Sequence, residues 1–131
     1  MFFRSLLDSR WRSLTEEERS EFVSTLKELP ITNSQWPQLM LFPDFTHHDS
    51  VELTHTLAQL CSEAHWGAPV FSDALGNSRR NRPPGITIYA NRDRPDVQTF
   101  MRALQKIGLQ SRLEHQEQKG TVEVRIGRKN P

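Results

Sequence analysis

The sequence contains only one cysteine among its 131 residues, so no disulfide can form within the chain. It has no apolar run near the ~20 residues that a membrane-spanning helix requires. Its opening segment, MFFRSLLDSRW, also lacks the central apolar stretch of a signal peptide. These absences predict a cytoplasmic protein, or the soluble part of a membrane-anchored one.

The motifs of several enzyme classes are missing as well. Glycine occurs only six times, and the chain has no Gly-x-Ser-x-Gly turn, no glycine-rich phosphate loop and no His-Glu-x-x-His zinc motif. Cys61 is in helical phase with Leu57 and Ala64, which predicts a buried, unreactive thiol. The sequence therefore gives no positive indication of catalysis, and we expect no cofactor.

Charge is small in total but uneven along the chain. The net charge is +1. Residues 1–70 contain five Lys/Arg and ten Asp/Glu, whereas residues 71–131 contain twelve and six. Such a division is typical of an anion-binding half, or of two surfaces that attract each other within the fold or between copies.

Three segments carry apolar residues at helical spacing. The first opens with Thr15 and Glu18, which have the spacing of a capping box, and Pro30 stops it. The second begins near Asp49, which has a cap-like position. The third begins at Pro95, because proline tolerates the first helical position.

Strand patterns alternate with these helices. QLMLF and GITIYAN predict buried strands, APVFS predicts a brief one, and SRLEHQEQ and TVEVRIG predict a terminal antiparallel hairpin with one solvated face. The first two strands and the helices after them match at an offset of 47 residues, so that Leu39 aligns with Ile86 and Leu53 with Phe100. This match favours two strand-helix units in one sheet.

Together these elements predict one α/β domain over residues 1–131, with an N-terminal helical cover at 1–30 and a sheet core at 38–127. We expect a mixed sheet of four or five strands, parallel at its centre, packed by two helices. The alternative is a ferredoxin-like βαββαβ sandwich. The direction of the strand near Val70 relative to the strand at Ile86 distinguishes the two.

A series of short motifs carries a resemblance to a known group. The chain has WRSLTEEER before the first helix, AHW after the second, PPG leading into ITIY, then LQKIGL and VEVRIGRK. In this order the motifs resemble a widespread group of small bacterial α/β domains, which often follow membrane helices and have no agreed function. The chain differs from the group at His65, where the group has glycine, and in its ending, IGRKNP. The resemblance implies a fold and no activity.

Basic residues and histidines are the best candidates for a binding site. The loop NSRRNRPPG is rich in arginine, more arginines follow the GITIYAN strand, and two histidines follow QLMLF. Ligands of open α/β sheets bind at the carboxyl ends of strands. If the Leu39 and Ile86 strands are neighbours, the loops after them share one edge of the sheet, where we expect a site formed by Arg79, Arg80, Arg82, Arg92, Arg94, His47 and His48.

Guanidinium groups suit phosphate or carboxylate, so this site predicts a non-catalytic module that binds a protein partner or a small anionic ligand. A nucleic-acid-binding protein that uses the same arginines is the alternative, and an enzyme of unidentified class is the third. Association of the chain with itself is a further expectation. A metal at His47 and His48 would need a third ligand from elsewhere, and we expect none.

Overall fold

The computed structural model describes residues 10–30, 39–71, 83–117 and 122–129. Within these ranges the chain forms three helices and four strands. In chain order they are α1 (Glu16–Lys27), β1 (Leu39–Pro43), α2 (His48–Glu63), β2 (Ile86–Ala90), α3 (Pro95–Lys106), β3 (Ser111–His115) and β4 (Val122–Ile126). The predicted α/β fold, with a mixed sheet, two packing helices and an additional N-terminal helix, is confirmed.

The four strands form one sheet in the order β1-β4-β2-β3. β1 is parallel to β4 and β2 is parallel to β3, but β4 and β2 are antiparallel. The prediction of a parallel centre is therefore wrong. Val70 forms a parallel bridge with Leu41, on the side of β1 that β4 does not occupy. The β1-α2 unit thus has the Val70 segment as its outer parallel neighbour, and the β2-α3 unit has β3. β4 lies between β1 and β2.

The predicted terminal hairpin is also wrong, because β2 lies between β3 and β4. Both strands alternate polar and apolar residues, but the sheet uses them differently. Val122, Val124 and Ile126 of β4 are fully buried at its centre, whereas Leu113 of β3 is only half-buried at its border. Alternation fixes which side chains face the core, and it does not fix which strand is the neighbour.

The ferredoxin-like alternative does not describe this sheet either. Val70 is parallel to Leu41 of β1, and β1 runs opposite to β2. The Val70 segment therefore runs antiparallel to β2, as the ferredoxin-like alternative requires. It lies beside β1, however, and not beside β2. The Leu39 and Ile86 strands, moreover, are separated by β4.

The core lies between one face of the sheet and the helices. α2 contacts β1 and β4, α3 contacts β3, and α1 packs against α2 and α3. Phe22 of α1 and Phe100 of α3 are fully buried and meet edge to face, with ring centroids 5.9 Å apart. Each such side chain contributes roughly 1.5–3 kcal/mol through burial. The helix and strand residues on this side belong to one apolar cluster.

The helix ends follow the predicted signals with one exception. Thr15 and Glu18 form the capping box of α1, and Pro95 occupies the start of α3. α2 begins one residue earlier than Asp49, with His47 at the N-cap and no side-chain cap. The Asp49 carboxylate instead accepts a hydrogen bond of 2.7 Å from the Trp11 amide. The predicted capping role of Asp49 is therefore wrong.

His65 has a backbone conformation that glycine adopts more readily than other residues. Its φ of 62° lies in the left-handed region, which glycine adopts without steric cost. The chain keeps this turn despite the side chain, since the Trp66 amide donates to the Cys61 carbonyl oxygen at 2.8 Å.

Within the described ranges, no helix combines the length and the apolar character needed to cross a membrane.

Candidate functional site

The sheet order separates the residues of the predicted site. His47 and His48 follow β1, whereas Arg92 and Arg94 follow β2. Because β1 and β2 run in opposite directions, these two pairs lie at opposite edges of the sheet. The prediction of one shared edge is wrong. The remaining members, Arg79, Arg80 and Arg82, lie outside the described residues.

Arg94 has a structural role at its edge. Its guanidinium group donates to both carboxylate oxygens of Asp96, at 3.0 and 2.7 Å. The Asp96 side chain is 1% exposed and that of Arg94 is 14% exposed. A buried carboxylate needs such a partner, and Arg94 is therefore oriented toward the protein. Arg92 is exposed, and its backbone amide donates to Nδ1 of His115 at 3.1 Å.

Basic residues do meet the predicted histidines, but they come from other segments. β1 and β4 are parallel, so both strands end at the same edge. The residues after β4 reach the start of α2 there, and the residues before α1 cross the same edge. They enclose a groove of about 670 Å³ that we call the basic groove, lined by Arg10, Trp11, Thr46, His47, His48, Asp49, Glu52, Arg128 and Lys129.

Trp11 fixes one wall of the basic groove. Its backbone amide donates to Asp49 Oδ2 at 2.7 Å, and its indole Nε1 donates to the Gly127 carbonyl oxygen at 2.8 Å. These bonds hold the segment before α1 across the ends of both α2 and β4. Trp11 and its neighbour Arg10 therefore have a defined place at this edge.

His47 is held by a buried carboxylate. Asp44 is 6% exposed, and its Oδ2 lies 3.3 Å from Nδ1 of His47. The other oxygen, Oδ1, accepts from the Thr46 amide at 3.0 Å and from the Thr46 hydroxyl at 2.6 Å. The same hydroxyl oxygen is 2.9 Å from His47 Nδ1. Two oxygens thus face Nδ1, which favours a proton there and leaves Nε2 for a ligand or solvent.

The backbone at Asp44 is tied to β4. Its amide donates to the Ile126 carbonyl oxygen at 3.0 Å and to the Ser50 hydroxyl at 3.1 Å. Ser50 is fully buried, and its hydroxyl donates in turn to the Ile126 carbonyl oxygen. This network fixes the turn between β1 and α2, and with it the position of His47.

The electrostatics of the basic groove favour an anion. Arg10, Arg128 and Lys129 bring three formal positive charges, against the carboxylates of Asp49 and Glu52. Glu52 pairs with His48, Nε2 to Oε1 at 2.8 Å, on an exposed surface where such a pair contributes little. The amino end of α2 also points to this groove, and its helix dipole adds positive potential.

A second cavity of about 330 Å³ adjoins the basic groove, with Trp11 and Lys129 in both walls. It lies where β2 and β3 begin, and Leu14, Ile86 and Leu109 form much of its apolar wall. Arg12 also lines this cavity, but its guanidinium group forms an ion pair with Glu18. Its two terminal nitrogens lie 2.7 and 2.5 Å from the Glu18 carboxylate oxygens. The hydrogen bond from Arg12 lowers the pKa of Glu18 to about 2.

The predicted burial of Cys61 is confirmed, and this burial raises the pKa of its thiol to about 12. Among the described residues, no group of three or more His, Cys, Asp or Glu side chains is arranged to hold a metal ion.

Seven of the nine residues that line the basic groove were not part of the predicted site: Arg10, Trp11, Thr46, Asp49, Glu52, Arg128 and Lys129. The available signal for Arg128 and Lys129 was the basic RK pair directly after the TVEVRIG strand. Comparison of the chain with models of protein families, with curated proteins and with solved structures gives no match. Its function must therefore be inferred from its own geometry.

Proposed function

We propose that this protein binds a small anionic ligand, one that carries phosphate or carboxylate, in the basic groove and performs no chemistry on it. The observation that carries this proposal is the meeting of Arg10, Arg128 and Lys129 with His47 and His48 around one groove of about 670 Å³. The predicted histidines keep their place in this proposal, whereas Arg92 and Arg94 do not belong to the site.

The volume of the groove and the mixed charge of its lining support a small ligand over a nucleic acid. A groove of several hundred Å³ matches the volume range of small-molecule sites. The carboxylates of Asp49 and Glu52 interrupt the positive surface, whereas a nucleic-acid site needs a continuous row of cations along the phosphates.

The hydrogen bonds around Thr46 argue against its hydroxyl as a nucleophile that His47 activates. The Thr46 hydroxyl oxygen lies 2.9 Å from Nδ1 of this histidine, but its proton is directed to Asp44 Oδ1 at 2.6 Å. A histidine that activates a hydroxyl must accept that proton itself, and the Nδ1 atom near Thr46 also faces the Asp44 carboxylate. The arrangement suits a histidine that donates a hydrogen bond to an anion from Nε2 when it is protonated.

A titration of the ¹⁵N-labelled protein with inorganic phosphate, and separately with citrate, tests the proposal. We expect saturable shifts of the amide signals of Thr46, His48 and Lys129. Lys129→Glu should weaken binding roughly tenfold or more, because it removes an attraction and adds a repulsion. Lys106→Glu makes the same charge change on α3, where the residue is exposed, and should leave binding unchanged.

Absence of shifts with either anion, or equal weakening by the two variants, contradicts the proposal. A parallel titration with generic RNA and DNA over a salt series separates the nucleic-acid alternative. Tight binding with a steep loss as salt rises is the mark of phosphate-backbone contacts. That result would replace the small ligand with a nucleic acid.

A further inference from the structure

The face of the sheet opposite the helices carries a regular arrangement of side chains. In every strand the residues that alternate with the core residues point to this side. Within the described ranges, no helix packs on it, since the apolar residues of α1, α2 and α3 belong to the core on the other face. We call it the open face. Its side chains are Met40, Phe42, Tyr89, Arg112, Glu114, Glu123 and Arg125, which are partly or fully exposed, and Thr87, which is 1% exposed and accepts a hydrogen bond from Arg112.

The strand register sorts these residues into two rows across the sheet. One row contains both arginines, in the order Phe42, Arg125, Thr87 and Arg112. The other contains both glutamates, in the order Met40, Glu123, Tyr89 and Glu114. Two residues along a strand separate the rows, a distance of about 6.8 Å. A positive row thus lies beside a negative row, and each begins with a large apolar side chain on β1.

Contacts within the chain hold the charged groups in these rows. Arg125 Nε lies 2.7 Å from Glu123 Oε2, and the Arg125 guanidinium carbon lies 4.9 Å from the ring centroid of Phe42. Arg112 donates to the Thr87 hydroxyl at 3.0 Å. Contacts within the chain therefore orient Arg125, Glu123 and Arg112 before any partner arrives, which lowers the entropic cost of binding one.

The apolar end of the open face is partly exposed. Phe42 stacks on Phe71, with ring centroids 5.6 Å apart and an interplanar angle of 23°. Phe71 is 39% exposed and is one of the exposed large apolar side chains of the described chain. An exposed aromatic pair next to ordered charges is typical of a surface that another protein covers.

We infer that the open face binds a second copy of this chain, face to face. The two-fold axis of this dimer lies between the two sheets. It runs perpendicular to the strands and midway between the two rows, so the arginine row of each copy faces the glutamate row of the other. Arg125 then faces Glu123 of the partner subunit, and Arg112 faces Glu114 of the partner subunit. The same operation places Phe42 over the partner's Met40.

This complementarity is specific to a second copy. In an interface with two-fold symmetry, a contact from residue i to residue j recurs as a contact from j to i, so each arginine-glutamate contact occurs twice. A uniformly charged partner, such as a nucleic acid, would be attracted by one row and repelled by the other. The self-complementary order of the two rows therefore favours self-association.

The area of the open face predicts the strength of the dimer. Four strands about 4.8 Å apart and five residues of about 3.3 Å each give a footprint of roughly 300 Å². A standard stable interface buries about 800 Å² per partner. We therefore expect a weak dimer, populated at high micromolar concentrations, in which charged contacts make dissociation sensitive to salt.

Sedimentation velocity over a series of protein concentrations tests the inference, at low and at high salt. We expect the sedimentation coefficient to rise with concentration at low salt and less so at high salt. Arg125→Glu and Glu123→Arg should each weaken the dimer roughly tenfold or more, because both copies of the contact become repulsive. The double variant R125E/E123R restores the opposite charges and should recover the dimer.

Two control variants separate this surface from the rest of the molecule. Arg102→Glu makes the same charge change on α3, and Lys129→Glu alters the basic groove. Both should leave the dimer constant unchanged. Thermal unfolding of each variant confirms that it is folded, and the salt series on the unaltered protein gives an answer even where a single variant does not fold.

A protein that stays monomeric at all concentrations overturns the inference. So does a dimer that neither single variant weakens, or a folded double variant that stays as weak as the single ones. None of these results bears on anion binding in the basic groove, since that proposal depends on other residues at the edge of the sheet.

Discussion

The indole Nε1 of Trp11 donates a hydrogen bond of 2.8 Å to the carbonyl oxygen of Gly127, across 116 positions of the chain. This bond joins the segment before α1 to the segment after β4, and so closes the edge of the sheet at which the basic groove lies. Together with the bond from the Trp11 amide to Asp49, it places Arg10 at the groove that Lys129 also lines. The arrangement of the proposed site therefore depends on a contact between two segments that are distant in sequence.

Trp11→Phe tests this contact. The ring of phenylalanine keeps much of the packing but cannot donate to the Gly127 carbonyl oxygen, which is left without this partner. We expect a loss of about 1–2 kcal/mol in the free energy of unfolding, measured by urea denaturation. Anion affinity in the basic groove should fall as well, because the wall of the groove loosens. A variant with unchanged stability and unchanged affinity would show that the indole bond has no such role.

Gly127→Ala tests a close backbone approach. A Cβ at this position would lie 2.2 Å from the carbonyl oxygen of Pro83. Gly127 also donates to the Gly85 carbonyl oxygen at 2.9 Å, so the two backbones cannot separate without losing a hydrogen bond. We expect a loss of roughly 2–3 kcal/mol, at the upper end of overpacking effects.

Thermal unfolding measures this loss. Gly108→Ala is the comparison, because a Cβ there meets no atom within 4 Å and only its φ of 80° opposes the substitution. We expect it to cost less, about 1–2 kcal/mol. A Gly127→Ala protein that is as stable as the unaltered chain would contradict the close approach to Pro83.

Asp96→Asn separates a structural arginine from a ligand-binding one. The substitution removes the Asp96 carboxylate from its ion pair with the guanidinium of Arg94, which is 14% exposed. Removal of one partner from a buried ion pair costs about 3–5 kcal/mol. We expect a loss toward the lower end of this range, because Arg94 keeps some contact with water.

Arg92→Ala is the matched substitution at the same edge. Its side chain is exposed, and the contacts to His115 and Gln98 come from its backbone. Changes at such surface positions stay within about 0.5 kcal/mol. Urea denaturation of both variants checks the contrast. Equal losses would mean that Arg94 does not have the structural role described above.

The sequence predicts the elements of this fold much better than their arrangement. Helical spacing, the Thr15 capping box and the alternation of β4 are local signals, and the structure contains the helices and strands that they indicate. The strand order depends on which strand lies between β1 and β2, and local signals do not determine this. β3 and β4 alternate in the same way, and nothing local marks Val124 for the centre and Leu113 for the border.

The candidate site was harder to predict for the same reason. The rule that ligands bind at the carboxyl ends of strands selects His47 correctly as a residue of that edge. The rule selects Arg92 equally well, because it does not say whether β1 and β2 run in the same direction. Only the strand pairing shows that they run in opposite directions. Lys129 also follows a strand, and its place beside His47 became visible only with the parallel pairing of β1 and β4.

The Arg12–Glu18 pair predicts how stability depends on pH. Its hydrogen bonds, and that from the Thr15 amide, hold the pKa of Glu18 at about 2, below its ordinary value of 4.5. A carboxyl group with a lowered pKa in the folded state stabilises the fold fully above its ordinary value, and this contribution is lost as the pH falls toward the lowered one. We therefore expect Glu18 to contribute to acid destabilisation between pH 4.5 and 2. The contribution is about 1 kcal/mol or less, since the Arg12 side chain is 60% exposed and solvent screens the pair.

Glu18→Gln should remove this contribution. The variant should be less stable than the unaltered protein at pH 7, and the difference should shrink as the pH approaches 2, where Glu18 itself is protonated. Melting temperatures over this range measure it. Glu17→Gln, an exposed acid in the same turn of α1, is the control and should run nearly parallel to the unaltered chain. A constant difference for Glu18→Gln at every pH would mean that the ion pair with Arg12 does not contribute, and that the variant acts through the neutral part of the capping box alone.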